Sequence, residues 1–278
     1  MVKRGYELIH EGRTRDENGK RTKYISRFYK CTSCHNTVRE EKDLSQVDPD
    51  KRLQYAKEKD IPYLQGSTFW GIVNRETWYN DDYVLKYGSL VEKAENSLIE
   101  STQLCAQVCS QGRWLEEWEM NNILAYYWSL QMKMEDLDFS EKELEELKNV
   151  QAEKAIAAIK AKYSQKSPAT FGHLPKDKEK GYAFAGDPEK GKVIYENGCQ
   201  HCHRERGESD VVLDNSSVTF KWLNKNITAN SKLSIYDIIR LGTYAEKGHK
   251  EYMPHYTEEK MSDEQIEDLR AYIEKMAE

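Results

Sequence analysis

Two five-residue segments share one pattern of reactive side chains: Cys31-Thr32-Ser33-Cys34-His35 and Cys199-Gln200-His201-Cys202-His203. Each places two thiols with two residues between them and an imidazole directly after the second. One turn of helix with this spacing presents both sulfurs to the vinyl groups of a porphyrin and the imidazole to its iron. The pattern predicts two covalently bound haem c groups. Their tethers are Cys31 and Cys34, and Cys199 and Cys202, with His35 and His203 as proximal iron ligands. The chain has six cysteines, an even count that in an exported protein is ordinarily read as disulfides. The histidine after each pair argues against that. Zinc would need a convergent set of four ligands, and neither motif has a second CxxC or an HxxxH at the usual distance.

The second ligand on each iron helps set its potential. For the second motif the best-placed group is Met253, in Tyr252-Met253-Pro254, with His249 and His255 as alternatives. No Met-Pro loop follows the first motif. Met120, Met132 and Met134 lie in or at the end of a helical pattern, where packing is the usual role. Two cysteines remain there, Cys105 and Cys109. A thiolate on iron donates charge and lowers its potential. At positions i and i+4 of an α-helix two Cβ vectors are not aimed at each other, so a disulfide between them is awkward. A buried free cysteine is otherwise common and inert, which leaves ligand and core roles open for each.

The elements that position these groups read as helices, so the fold class is all-α: two cytochrome c-like haem domains joined by a long, partly helical linker. Residues 1–135 form the first domain, 136–182 the linker and 183–278 the second domain. In the first, residues 5–11, 89–111 and 115–134 are helix candidates, with Gly112 as a stop and an apolar 3.6-residue period through Met120, Ile123, Leu124, Tyr127, Leu130 and Met134. The aromatic, turn-rich stretch 64–87 reads as a long loop over one haem edge. In the linker, residues 140–162 read as one charged, solvated helix opened by the capping box Ser140-x-x-Glu143. In the second domain, Asp187-Pro188 is an N-cap followed by proline, and Ser262-x-x-Gln265 opens the last helix.

With 278 residues the chain is long enough for two domains, and a net charge of −6 argues against a general nucleic-acid binder. Hydrophobic content of 38% is low for one large core, as expected if two porphyrins supply part of it. No apolar run reaches the ~18 residues of a transmembrane helix. No signal peptide precedes Gly5 either. Haem is normally attached to such motifs outside the cytoplasm, so the expectation is a periplasmic or otherwise extracytoplasmic protein whose export signal has been removed.

The second half resembles a class I cytochrome c domain, through Gly191-x-x-x-Tyr195, the haem motif, the Met-Pro loop and a last helix with Leu269 and Tyr272. In that family the loop methionine is the iron ligand, which the resemblance carries to Met253. Residues 105–130, with Gly112-Arg113-Trp114-Leu115, Trp118-Glu119 and Ile123-Leu124-Ala125-Tyr126, resemble the thiosulfate dehydrogenase family. They are also similar to the SoxA subunit of the sulfur-oxidising Sox system. In both, a cysteine shortly before a glycine-containing turn ligates the active-site iron, and the spacing to Gly112 favours Cys105 over Cys109. Two departures stand out. The gap from His35 to Cys105 is long, with the segment around Trp70 and Trp78 as an insertion. Where some thiosulfate dehydrogenases have a lysine beside the methionine, Tyr252 stands here, the nearest lysines being Lys247 and Lys250.

The resemblance implies a diheme oxidoreductase that couples two thiosulfates, or a related sulfur anion, to tetrathionate at the first haem. Electrons would then pass through the second haem to a soluble or membrane-associated redox partner. A dianionic substrate needs local positive charge, and Arg113, Arg75 and Arg39 are the candidates, since arginine recognises oxyanions in a planar, bidentate way. The alternatives are a non-catalytic diheme electron carrier and a SoxA-like subunit of a larger complex.

Overall fold

The computed structural model describes residues 1–227, 234–243 and 252–278. The chain is all-α. Among the described residues the one β feature is an isolated bridge between Arg15 and Arg21. In chain order the helices are α1 (Val2–Glu11), α2 (Pro49–Lys59), α3 (Tyr83–Tyr87), α4 (Leu90–Ala94), α5 (Leu98–Leu104), α6 (Glu117–Ser129), α7 (Glu141–Lys148), α8 (Ala152–Lys160), α9 (Pro188–Ile194), α10 (Gln200–His203), α11 (Ser217–Ile227), α12 (Ile235–Leu241) and α13 (Asp263–Ala277).

The expected caps are made. Asp187 accepts from the Glu189 amide ahead of α9, and Ser140 and Ser262 form reciprocal boxes with Glu143 and Gln265. Each such cap contributes about 1 kcal/mol. Two stretches expected as single helices are broken. The charged segment divides at Asn149 into α7 and α8, neither of which buries a residue, so no packing holds one long helix together. Residues 89–111 divide because Ser97 caps a new helix, accepting from the Glu100 amide. That helix, α5, then widens into a π-turn at Cys105–Cys109.

One helix crossing is built twice. A Cβ on Gly5 of α1 would lie 2.1 Å from the Asn122 carbonyl and 2.7 Å from the Tyr126 Cβ of α6. A Cβ on Gly191 of α9 would lie 2.0 Å from the Asp268 carbonyl and 2.8 Å from the Tyr272 Cβ of α13. In each pair a glycine lets two helices touch backbone to backbone against residues one turn apart. The crossing holds the ends of each half together around its CxxCH motif.

The halves share packing. Leu53, Ala56 and Tyr63, from α2 and the loop after it, lie in the core formed mainly by α9, α11, α12 and α13. Tyr63 donates to the Gln265 side chain at 3.0 Å, and Tyr256 donates to the Tyr63 carbonyl at 2.9 Å. The buried Arg52 pairs with Glu40 at 3.2 Å and donates to the carbonyls of Leu64 and Lys260. Removing one partner of such a buried pair costs about 3–5 kcal/mol, because the other charge is left alone.

Candidate haem centres and a thiol-lined cavity

The first motif is wound into one tight turn, Cys31–Ser33, followed by Cys34 and His35. His35 Nδ1 lies 2.7 Å from the Ser67 carbonyl. A carbonyl only accepts, so Nδ1 carries the proton and Nε2 keeps a lone pair for a metal. The ring stacks on Phe69 at 4.5 Å, and a Cβ on Gly66 would come within 2.6 Å of it. At the second motif a π-turn, Tyr195–Cys199, runs into α10. His203 Nδ1 donates to the Val211 carbonyl at 2.8 Å, which again leaves Nε2 available. Burial pushes the pKa of both histidines down, keeping them neutral as metal ligation requires.

The motifs touch. Cys202 Sγ lies 3.6 Å from the Ser33 carbonyl, and His201 hydrogen-bonds the backbone at Thr32. A further tie joins Tyr29 Oη to the Tyr252 carbonyl at 3.2 Å.

Cys31, Cys34 and His35 open onto a cavity of about 1300 Å³, its mouth included, which Cys105 and Cys109 also line. The π-turn brings the two cysteines there: the Ser110 amide reaches back five residues to the Cys105 carbonyl at 2.9 Å. Such a turn holds more residues than an α-helical one, so i and i+4 come closer in register. The two thiols hydrogen-bond each other, and the hydroxyls of Tyr79 and Tyr87 approach Cys109 Sγ at 3.5 and 3.4 Å. The bond from Cys105 lowers the Cys109 pKa most. The two tyrosines and Lys86 add to it, and together they outweigh burial. The Cys105 thiol is pushed up in turn, by that bond and then by burial.

Three buried polar atoms on the cavity-lining residues lack hydrogen-bond partners: Gln65 Oε1, Trp78 Nε1 and His255 Nε2. Buried polar groups are rarely left unsatisfied. An aromatic-walled cavity with two closely spaced thiols and a metal-ready imidazole fits a haem.

The three arginines separate. Arg75 lines the cavity, one guanidinium nitrogen donating to the Thr68 carbonyl at 3.0 Å. Arg113 does not line it: its guanidinium is engaged by both oxygens of Glu119, at 2.6 and 2.7 Å, and by the carbonyls of Lys23, Tyr24 and Trp114. It braces the start of α6. Arg39 is spent on the carbonyls of Glu41, Lys42 and Asp136, also away from the cavity lining. Nearness in sequence to Cys105 therefore does not place Arg113 beside a substrate. The cation close to the cysteines is Lys86, which the aromatic stretch concealed. Its signal was the pairing of Tyr83 and Tyr87 at helical spacing around it.

Met253 is half-buried, packs against the core of the second half, and is held by Thr243 through its amide at 2.6 Å and its carbonyl at 2.9 Å. Its neighbours Tyr252, Pro254 and His255 line the first cavity instead. His249, Lys247 and Lys250 fall outside the described residues. If Met253 is the second iron's ligand, Met253→Ala should abolish the thioether-to-iron band at the red end of the oxidised spectrum. It should also lower that haem's potential. An unchanged spectrum would exclude the assignment.

Residues 188–277 match the family model of cytochrome c. The C-terminal region is therefore a cytochrome c domain, an electron-transfer module with haem c held covalently, and Cys199 and Cys202 supply its CxxCH site. Such a domain implies a redox partner. No curated protein and no solved structure matches the chain. No helix among the described residues is long and apolar enough to cross a membrane.

Proposed function

We propose that the chain is a diheme c-type cytochrome, working outside the cytoplasm, that oxidises thiosulfate or a related sulfur anion at its first haem centre. Electrons leave through the second centre to an external redox partner. The observation that carries this reading is the single cavity lined by Cys31, Cys34, His35, Cys105 and Cys109. The repeated glycine crossing supports two cytochrome c-like halves, around residues 1–135 and 183–278 with the segment 136–182 between them.

The reaction joins two thiosulfate dianions through a new S–S bond, giving tetrathionate and two electrons, with no proton taken up or lost. Bound haem at each motif would supply a one-electron acceptor. The chain's own residues do the rest. His35, fixed by Ser67 and Phe69, would hold the iron through Nε2. Cys105 would be a second ligand, giving up its proton only on binding the metal, and Cys109, the more acidic of the two thiols, lies beside it against two tyrosine hydroxyls. Aromatic walls keep water from the sulfur chemistry. The contact of Cys202 with Ser33 puts the two motifs side by side, so haems held by them would be close enough to exchange electrons.

The test is to mix oxidised holoprotein with thiosulfate and follow haem reduction together with tetrathionate. One tetrathionate per two electrons is expected. A holoprotein that stays oxidised with every sulfur anion tried would overturn the enzymatic reading and leave electron carriage alone.

A further inference from the structure

We infer that Ser67, Arg75 and Ser167 form an oxyanion site in the wall between the first cavity and a second one beside it. The inference deepens the proposed function and rests on it for the identity of the anion, though not for the existence of the site. The second cavity measures about 640 Å³, its mouth included, and Trp70, Met132, Tyr163 and Lys260 are among its lining residues. Three residues line both cavities: Ser67, Arg75 and Ser167. Each carries a side-chain hydrogen-bond donor, and the Arg75 guanidinium carries five N–H groups. One of its nitrogens donates to the Thr68 carbonyl at 3.0 Å, and among the described residues no carboxylate pairs with it. Its remaining nitrogens are unbonded, yet they are not shut away as Gln65 Oε1 and Trp78 Nε1 are. Burial pushes the Arg75 pKa down, and the charges of Glu40 and Glu41 do not make up the difference. The guanidinium is a half-buried cation whose donors are mostly unused.

The wall is held in place from both sides. The Thr68 carbonyl, which holds Arg75, directly follows that of Ser67, which holds His35 at 2.7 Å. Consecutive peptide groups thus fix the guanidinium and the first motif's imidazole, and an anion on Arg75 is placed near that imidazole. Ser167 comes from the segment 136–182, and its carbonyl accepts from the Asn80 side chain at 2.9 Å. The signs of the surroundings agree. No Asp or Glu is among the described residues lining the first cavity, while Lys30 and Arg75 both border it. The second cavity does have acids, but Glu40 is held by Arg52 and Asn36, and Glu259 by the amide and hydroxyl of Thr170. Lys166 and Lys260 line the same cavity. A small oxyanion can therefore enter past these lysines and meet Arg75 without crossing the aromatic walls of the first cavity.

Two sources share this chemistry: a free sulfur oxyanion arriving through the second cavity, or a carboxylate of the haem in the first. Arg75→Met keeps the stem and removes the charge, and Arg75→Lys keeps a charge without the planar fork. Ser67→Ala combined with Ser167→Ala removes both hydroxyls and no charge. Oxidised holoprotein of each is titrated calorimetrically with sulfate and with thiosulfate, and the first haem's potential is measured alongside. For a free anion, Arg75→Met should weaken both ligands by about 10- to 100-fold and the double serine variant by about five- to tenfold. Arg75→Lys should fall between wild type and Arg75→Met, with two haems retained throughout. Wild type binding neither anion, with the first haem's reduction equilibrium moved about tenfold (~59 mV for one electron) in both Arg75→Met and the double serine variant, also supports the site. Its oxyanion is then the haem carboxylate. With no anion bound, a shift in Arg75→Met alone is only the loss of a charge and would overturn the site, as would anion affinity unmoved in every variant. Wild type that binds sulfate through these residues yet never oxidises thiosulfate would remove the catalytic reading alone.

Discussion

Holoprotein carrying Cys31→Ala and Cys34→Ala should hold one covalent haem where wild type holds two. The tethering bonds at the first motif are made only by those two sulfurs. Nothing else there can replace them: Cys105 and Cys109 sit on the π-turn, bonded to each other and to two tyrosines. His35 would remain poised by Ser67 and Phe69, but a single histidine–iron bond does not survive denaturing extraction. The cost should extend beyond the cofactor. An aromatic-walled cavity would be left without its filling. Large unfilled apolar space is strongly destabilising. The first half should therefore melt at a lower temperature, while the second motif, with Cys199 and Cys202 intact, keeps its haem. Pyridine haemochrome absorbance per chain, with iron content, decides the matter. One haem in wild type, or two in the double variant, would end the diheme reading.

What could be read from the sequence was whatever chemistry forces into a fixed spacing. The CxxCH motifs and the caps at Asp187 and Ser262 are of this kind, since each depends on neighbours within a few positions. Helix continuity was not legible at Ser97 or Asn149, where one capping side chain or an unpacked face decides and the apolar period carries on regardless. The π-turn at Cys105–Cys109 was hidden for a related reason, because widening one turn barely changes the pattern of buried positions. It matters most, because it sets how two neighbouring thiols on one helix face meet. Arg113 shows the opposite error. It lies close to Cys105 in the chain, yet its guanidinium turns to Glu119. Lys86 and His255 are 169 positions apart and could be joined only by the packing of the two halves.

Cys105→Ala should abolish thiosulfate-dependent reduction, by about 10³-fold or more, with both haems still attached. Losing an anionic donor from the oxidised iron should also raise the first haem's potential, a readout that a mere packing role would not move. Cys109 cannot be treated as inert core, because two buried tyrosine hydroxyls and the Cys105 thiol all converge on its sulfur. Cys109→Ala strands the Tyr79 hydroxyl, leaves Tyr87 with Tyr252 alone and frees Cys105, and the loss of one such bond, about 1 kcal/mol, predicts a drop of roughly five- to tenfold. Cys109→Ser should recover part of that, since a hydroxyl still accepts from Tyr79 and Tyr87. The expected order of activity is thus wild type, Cys109→Ser, Cys109→Ala and, far below, Cys105→Ala, with the potential shifting strongly in the last alone. A reversed order, with the large potential shift in Cys109→Ala, would make Cys109 the ligand and Cys105 its hydrogen-bond partner. Full activity in both alanine variants would show that neither sulfur meets the substrate or the iron.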